Sequence, residues 1–325
     1  RQGSNSHRSK ENYTRLWCGR VLPLSTPLIP AQAWISSTDA SCFDLCGSPM
    51  TPPSPQFLGI DLGWQSGASG LCCLSLEGDR LILKCLTRLQ SIESILAWVE
   101  EYSRPSQTAV VAVDAPTLIP NQTGMRLADR LAHQYFGQYD AGCYPANQGR
   151  PFAARLVAFG RALEALGFAH SPHSPAQPQG RFQLEVFPHP ATVHLFNLQR
   201  ILKYKKGRLG ERRPQLEKLR HYQLTVLPQL TPALGISPSE LPAIPTTGAA
   251  MKAVEDQLDS LICAYVAAHW WYWGESRNWV LGDRQQGYIV VPAPITALGG
   301  DHGGFRTGED HPTGGGLQST GDHHL

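Results

Sequence analysis

Short apolar runs that end at an acidic or turn residue recur along the chain. FLGI ends at Asp61 and VVAV ends at Asp114, and each run is typical of a buried strand. Between residues 70 and 86, two strand-like runs flank the turn sequence EGD, which predicts a hairpin. A further predicted strand, RFQLEVF, begins at Arg181, and the last one, GYIVVP, ends at Pro292. Because proline cannot donate a ladder hydrogen bond, we expect this last strand on a sheet edge.

Segments with helical spacing of apolar residues follow the first three strands. Ser91 caps a predicted helix of sequence IESILAWVEEY, and further helices are predicted near 124–136 and 151–166. A basic helical region is predicted from about 194 to 228, and a long helix begins near Ala249. Three adjacent strands followed by strand–helix alternation predict an α/β fold. Its sheet would be mixed and of the five-stranded type, with helices on both faces, as in the RNase H-like architecture.

The two ends of the chain differ in composition from the middle. Of the 325 residues, 42% are hydrophobic, which allows a sizeable core, but 31 are Gly and 26 are Pro. Residues 1–55 are rich in Pro and Ser, and residues 293–325 are rich in Gly and His. Such segments bury too little apolar surface to order themselves. We therefore expect two disordered tails around one domain at 56–292.

Acidic side chains lie at the ends of three predicted strands. Asp61 and Asp114 directly follow apolar runs, and Glu185 lies near the end of RFQLEVF. A buried carboxylate is costly unless it is paired, capped or bound to a metal. Each acid taken alone is also explained by a turn that it caps. Parallel strands, however, end at one edge of a sheet, where α/β proteins place their sites. We expect the three acids to meet there.

Two further acids lie on the long predicted helix. Asp256 and Asp259 are three residues apart on the helix and can point to one place. The alternative is that these acids, near the start of the helix, only stabilise it through its dipole. Oxygen ligands without a Cys or His set select Mg²⁺ or Mn²⁺, and two such ions can hydrolyse a phosphodiester. The predicted catalytic residues are Asp61, Asp114, Asp256 and Asp259. The predicted metal ligands are Asp61, Asp114, Asp259 and Glu185.

A strongly basic stretch precedes the long helix. Residues 200–220 contain nine Lys or Arg and two Glu, a local charge of +7, although the net charge of the chain is only +2. Basic side chains with tyrosines nearby suit a phosphate backbone, but they also occur on solvated helix faces. The predicted nucleic-acid-binding residues are Lys203, Lys205, Lys206, Arg208, Arg212 and Arg213.

Six blocks of the sequence resemble a known family. They are GIDLGW, VAVDAP, RLADRLAHQYFGQYDAGCYPANQGRPFAARL, LEVFPHPA, LKYKKG and VEDQLDSLICAYVA. In this order they resemble the domain of unknown function 429 family, whose members are described as predicted RNase H-fold nucleases. The resemblance covers about residues 57–292. It implies an RNase H-like fold and predicts nuclease activity.

Holliday-junction resolvases of the wider superfamily carry an acid on the first strand, another after the fourth strand, and two acids three apart on a late helix. The resemblance implies that Asp61, Asp114, Asp256 and Asp259 take those places. Resolvases usually have Glu at the second place, so Asp114, with its shorter reach, departs from the pattern. Glu185 has no secure counterpart.

Other features narrow the function without deciding it. The eight cysteines form no CxxC pair, which favours a reduced, cytoplasmic setting over a zinc site. No apolar run reaches the roughly 18 residues that predict a membrane-spanning helix. We expect a metal-dependent nuclease that acts on DNA or RNA. Two alternatives stay open. One is a non-catalytic nucleic-acid-binding module. The other is an actin-like or sugar-kinase-like ATP-dependent phosphotransferase, because GIDLG also resembles the first phosphate motif of that class.

Overall fold

The computed structural model describes residues 53–65 and 67–295. The tails predicted over 1–55 and 293–325 fall almost entirely outside those residues, so their disorder and the domain limits stay predictions. The described residues form a seven-stranded main sheet, a separate two-stranded sheet and six α-helices. None of these helices combines the length and the apolarity needed to cross a membrane.

The main sheet has the strand order and directions of the RNase H-like fold. Its strands are β1 (Gln56–Asp61), β2 (Ser69–Glu77), β3 (Arg80–Leu89), β4 (Ala109–Val113), β5 (Ala169–His170), β6 (Arg181–Glu185) and β7 (Ala233–Gly235). The spatial order is β5-β6-β4-β1-β2-β3-β7. The first three strands form an antiparallel meander, β4 lies parallel to β1, and β6 lies parallel to β4. The predicted α/β architecture is therefore confirmed.

Helices cover both faces of this sheet. They are α1 (Ile92–Tyr102), α2 (Leu127–Phe136), α3 (Ala153–Ala165), α4 (Pro188–Leu195), α5 (Leu209–Thr225) and α6 (Gly248–Trp273). In β1, Phe57 packs in a core with residues of α4, α5 and α6, whereas Leu58 and Ile60 pack with residues of α1 and α3. Because both faces are buried, the central strands are apolar at nearly every position.

The last strand lies on a sheet edge, as we expected, but the sheet is a small one separate from the main sheet. GYIVVP forms β9 (Gly287–Pro292), which pairs with β8 (Asn278–Asp283) in the separate two-stranded sheet. A parallel bridge joins Val290 of this hairpin to Val186, next to β6. The main sheet instead ends at β5 and β7, which have two and three residues. Strands this short leave no periodic pattern in a sequence.

The basic stretch is not one helix either. Helix α4 ends at Leu195, and residues 196–208 form a connection before α5 begins at Leu209. Asn197 and Gly207 have positive φ values of 49° and 113°, which a right-handed helix does not contain. Lys203, Lys205 and Lys206 therefore lie on a loop rather than on a helix face.

Candidate active site

Two of the predicted acids meet where parallel strands β1 and β4 end. Asp61 is the last residue of β1, and Asp114 directly follows β4. In the register of this pair Ile60 lies beside Val113, and the amide of Asp114 donates a 2.8 Å hydrogen bond to the Ile60 carbonyl. Both carboxylates are half-buried and line one side of a cleft. The expected convergence at this sheet edge thus holds for these two residues.

Helix α6 brings the other two aspartates to the same place because two glycines allow it to touch the sheet. A Cβ atom on Gly59 of β1 would collide with the carbonyl of Ser260, and one on Gly70 of β2 would collide with the carbonyl of Asp256. Gly70 lies directly opposite Asp61 in the β1–β2 pair. The third and fourth turns of α6 therefore carry Asp256 and Asp259, both buried, toward Asp61.

A lysine lies among these acids, although we had assigned it to a binding surface. The Nζ atom of Lys205 is 2.9 Å from Asp259 Oδ2 and 3.7 Å from Asp114 Oδ2. The hydroxyl of buried Tyr204 donates a 2.7 Å hydrogen bond to Asp259 Oδ1. The loop at 196–208 thus supplies both neighbours of the Asp259 carboxylate.

The remaining acids of α6 have cations of their own. Arg88 Nε lies 2.7 Å from Asp256 Oδ2, and Lys252 Nζ lies 2.6 Å from Asp256 Oδ1. Glu255 contacts Lys252 at 2.8 Å and Arg212 at 3.1 Å. Asp256 and Glu255 are therefore neutralised locally. Lys205 contacts Asp259 and Asp114 and is the main attractive partner of Asp61, and the ammonium of Lys252 also attracts Asp61 and Asp114.

This imbalance of charge perturbs the protonation of the site. Burial raises the pKa of Asp61 well above its usual range, and repulsion from Asp259 and Asp114 adds to the effect, while Lys205 opposes it. Burial also raises the pKa of Asp114 to about 6, again against Lys205. Burial by itself would lower the pKa of Lys205, but attraction to the three carboxylates raises it, so the lysine stays charged. Carboxylates that resist ionisation together suit a place where a cation binds.

Glu185 lies at the same sheet edge but has a different partner. Its two oxygens accept hydrogen bonds of 2.6 and 2.7 Å from Arg126, which also pairs with Asp129. Burial raises the pKa of Glu185 to about 7, although Arg126 counteracts this. Sequence reasoning did not single out this Arg126 pair. The role of Glu185 as a metal ligand stays a prediction, and both of its oxygens would first have to leave the guanidinium.

The donor atoms around Lys205 suit a hard divalent cation. Among the described residues, no three His, Cys, Asp or Glu side chains are already arranged to hold one ion. Asp259 Oδ2 is fully buried, however, and no described group forms a hydrogen bond with it, since Lys205 contacts it outside hydrogen-bond geometry. A buried carboxylate oxygen without a hydrogen-bond donor, with only an ammonium nearby, is a favourable position for a bound cation. The carboxylate oxygens of Asp61, Asp114 and Asp259 are of the type that Mg²⁺ or Mn²⁺ binds, although these side chains are not arranged around one point.

The cleft above these acids has a volume of about 900 Å³, and aromatic, basic and acidic side chains line it. Trp64 donates a hydrogen bond to the carbonyl of Asp114 and is held in the wall. Tyr144 is 57% exposed at the cleft, and the Arg150 guanidinium lies 4.9 Å from its ring centre. We had not identified these aromatic residues from the sequence, because they stand alone between turn residues. Lys203, Lys206 and Lys252 also line the cleft.

The predicted basic surface is divided in the structure. Arg212 donates to the Tyr204 carbonyl and pairs with Glu255, and Arg213 pairs with Glu217 at 3.0 Å. Lys203 pairs with Asp140 at 3.0 Å. Lys206 and Arg208 are exposed. The structure thus does not bring these side chains into one continuous stripe, because several of them brace the loop and helix that carry them.

A comparison with protein families matches residues 59–286 to the family described as "Protein of unknown function (DUF429)". The chain belongs to this family. The match covers most of the DUF429 chain and includes Asp61, Asp114, Lys205, Asp256 and Asp259. The family resemblance deduced from the six sequence blocks is therefore confirmed.

Two other comparisons were made with the DUF429 chain. No curated protein sequence matches it. Among solved structures it is similar to the human cytomegalovirus terminase nuclease domain, solved Mn-soaked and inhibitor-bound. That comparison covers 67% of this chain and 83% of the viral chain, with 11% sequence identity and a TM-score of 0.26.

Proposed function

We propose that this DUF429 protein is a divalent-metal-dependent hydrolase of phosphodiester bonds in DNA or RNA. The observation that carries the proposal is the meeting of three aspartates from two strand ends and a helix, where Lys205 is the only described cation that forms an ion pair with any of them. Such a cluster is costly in a folded protein unless it serves a cation. An open cleft with exposed lysines in its lining gives a phosphate backbone access to that cation.

The residues of the site have distinct roles in the proposed hydrolysis. Asp61, Asp114 and Asp259 would hold the metal, which lowers the pKa of bound water and offsets charge on the phosphate. Tyr204 orients the Asp259 carboxylate through its hydroxyl. A water oxygen would bond to phosphorus as the bond from phosphorus to the departing oxygen breaks. The water loses one proton to solvent and the departing oxygen gains one, so no side-chain nucleophile is needed.

The metal dependence expected from the sequence remains part of the proposal, with one change in the roles of the acids. Arg88 and Lys252 contact both oxygens of Asp256 in the structure. We therefore assign Asp256 to the ion-pair network that surrounds the site. Asp61, Asp114 and Asp259 remain the proposed ligands.

Nucleic acid is the proposed substrate because the cleft combines positive charge with exposed aromatic surface. Lys206 and Lys252 line it beside Trp64 and Tyr144. Lysines attract phosphates without base preference, and an exposed aromatic ring can stack on a base. The described residues contain a single main sheet, without the second half that an actin-like phosphotransferase requires.

Cleavage of labelled single-stranded, duplex and branched DNA and RNA tests the proposal. Wild-type protein should cut at least one of them with Mn²⁺ or Mg²⁺ and lose this activity in chelator. Asp61→Asn should remove turnover but keep binding, whereas Asp79→Asn should not affect turnover. Asp79 is exposed on the β2–β3 turn, at the opposite end of the sheet. Full activity of Asp61→Asn, or cleavage without metal, would contradict the proposal. Binding without any cleavage would favour the non-catalytic module, and stabilisation by ATP would favour a phosphotransferase.

A further inference from the structure

Lys205 contacts two of the proposed metal ligands at once. Its ammonium lies near oxygens of Asp259, on α6, and of Asp114, which directly follows β4. The same two residues would help to hold the metal ion of the proposed function. A positive side chain in contact with metal ligands either only stabilises the fold or supplies part of the positive charge that a metal ion would supply.

The local charges indicate how many cations the cluster accepts. Asp256 and Glu255 have Arg88, Lys252 and Arg212 as partners. Asp61, Asp114 and Asp259 carry three formal negative charges when ionised, and Lys205 offsets one of them. The five acids and the four cations together carry one net negative charge, so one divalent ion would bring the cluster to +1, whereas two divalent ions added to the lysine would bring it to +3. Like charges in a small, partly buried site repel strongly.

The structure also holds Lys205 in place from both sides of the loop. Tyr204, its neighbour, is buried and bonded to Asp259 through its hydroxyl. Arg212 Nε donates a 2.6 Å hydrogen bond to the Tyr204 carbonyl, which ties the loop to α5. The Lys205 side chain is nevertheless 30% exposed and lines the cleft. It is therefore anchored at its base while its ammonium faces the space where a phosphate would enter.

Asp259 Oδ2 gives an independent sign that this place is built for a ligand. The carboxylate is fully buried, yet among the described residues this oxygen has no hydrogen-bond donor. A lysine that served only the fold would be expected to satisfy the buried oxygen with a well-aligned hydrogen bond. The contact is instead close but misaligned, so the oxygen keeps a free lone pair beside the ammonium.

We propose that Lys205 replaces one of the two divalent ions expected from the sequence, so that each chain binds a single ion, an inference that rests on the metal-dependent function proposed above. The ammonium is a compact point charge with three donors, which suits a non-bridging or departing phosphate oxygen. Lys205 would contribute charge on one side of the phosphate, and Asp61 with Asp114 and Asp259 would hold the ion on the other.

Titration with Mn²⁺, followed by calorimetry and by electron paramagnetic resonance, tests the inference without any substrate. Wild-type protein should bind one ion per chain. Lys205→Gln and Lys205→Met, which remove the charge but keep the length, should bind two. Lys206→Gln is the matched control, because Lys206 lines the same cleft and is exposed; it should still bind one. Cleavage should depend on Mn²⁺ to the first order in wild-type protein and to the second order in the Lys205 variants.

The outcomes separate this inference from the function beneath it. Two ions in wild-type protein would overturn the role of Lys205 while leaving the metal-dependent function intact. One ion in both wild-type and Lys205→Gln, with circular dichroism confirming that the variant is folded, would reduce Lys205 to a structural partner. If no protein binds Mn²⁺, the metal-dependent function fails and the inference fails with it. If the Lys205 variants do not fold, the wild-type protein still tests the inference, because two ions in wild-type protein overturn it.

Discussion

Gly70 of β2 and Asp256 of α6 touch through their backbones: a Cβ atom on Gly70 would overlap the carbonyl group of Asp256. Because Gly70 lies opposite Asp61, this contact sets the separation between the first strand and the helix that carries Asp259. The candidate site therefore depends on a residue that has no side chain and takes no part in the chemistry.

We predict that Gly70→Ala lowers stability and disturbs the site together. The added methyl group would collide with backbone atoms of Asp256, which cannot move aside as a flexible side chain could. We therefore expect the free energy of unfolding to fall by about 3 kcal/mol, at the upper end of overpacking costs. Urea unfolding measures the loss. Gly210→Ala is the control, because nothing lies within 4 Å of a Cβ atom at that position in α5, and alanine should stabilise the helix slightly. Equal stabilities for the two variants would contradict the close approach of α6.

Tyr144 should act as a stacking surface for single-stranded substrate. It is 57% exposed and its ring contacts Phe152 and the Arg150 guanidinium. Stacking on a base contributes roughly 1–3 kcal/mol, so Tyr144→Ala should weaken binding of single-stranded oligonucleotides by about tenfold or more. Tyr144→Phe keeps the ring and should bind like wild type. Fluorescence anisotropy with single-stranded and duplex oligonucleotides measures the effect, and an equal loss on both would argue against stacking.

Lys206 should contribute one phosphate contact. It lines the cleft and is exposed, whereas Arg212 and Arg213 of the same basic stretch are paired with glutamates. Replacing it with Ala should weaken binding equally for different base sequences and reduce the slope of log affinity against log salt by about one. Lys218→Ala, on the exposed face of α5, should leave the slope unchanged. If both variants give the same slope, the basic residues act as a diffuse field instead.

His170 should make the fold sensitive to mild acid. Burial lowers its pKa to about 4, and its Nδ1 lies 2.8 Å from the Tyr288 hydroxyl, which donates to the Gln183 carbonyl. In the unfolded chain the pKa of histidine is about 6.5, so below that pH the unfolded state takes up the proton first. The folded state therefore loses stability as the pH falls from about 6.5 toward 4.

The measurement is the free energy of unfolding at pH 7 and pH 5 for wild type and His170→Gln. Wild type should lose up to about 2 kcal/mol more than the variant over this interval. Asp114 and Glu185, whose pKa values are raised to about 6 and about 7, change stability in the opposite direction. They are present in both proteins, so the difference between the proteins isolates His170. The same loss in both would show that His170 is not protonated differently on unfolding.

Much of the site could be predicted from local sequence. Apolar runs determine where β1 and β4 lie, so Asp61 and Asp114 fall at strand ends whatever surrounds them. Strand–helix alternation makes those strands parallel, which brings their carboxyl ends to one edge. The spacing of Asp256 and Asp259 on one helix is likewise local. These features follow from the repeat of strand and helix, which acts over a few residues.

Only the tertiary structure decided which charges pair. Arg88 and Asp256 form an ion pair although they are 168 residues apart in the sequence. Asp256 therefore has different charge partners from Asp259, its neighbour on the helix. Lys205, counted in the sequence with a basic surface, lies inside the acidic cluster because Tyr204 anchors its loop on Asp259. Long charged side chains can take many partners within reach. Their choice depends on distances that the packed fold sets, and no local pattern in the sequence contains those distances.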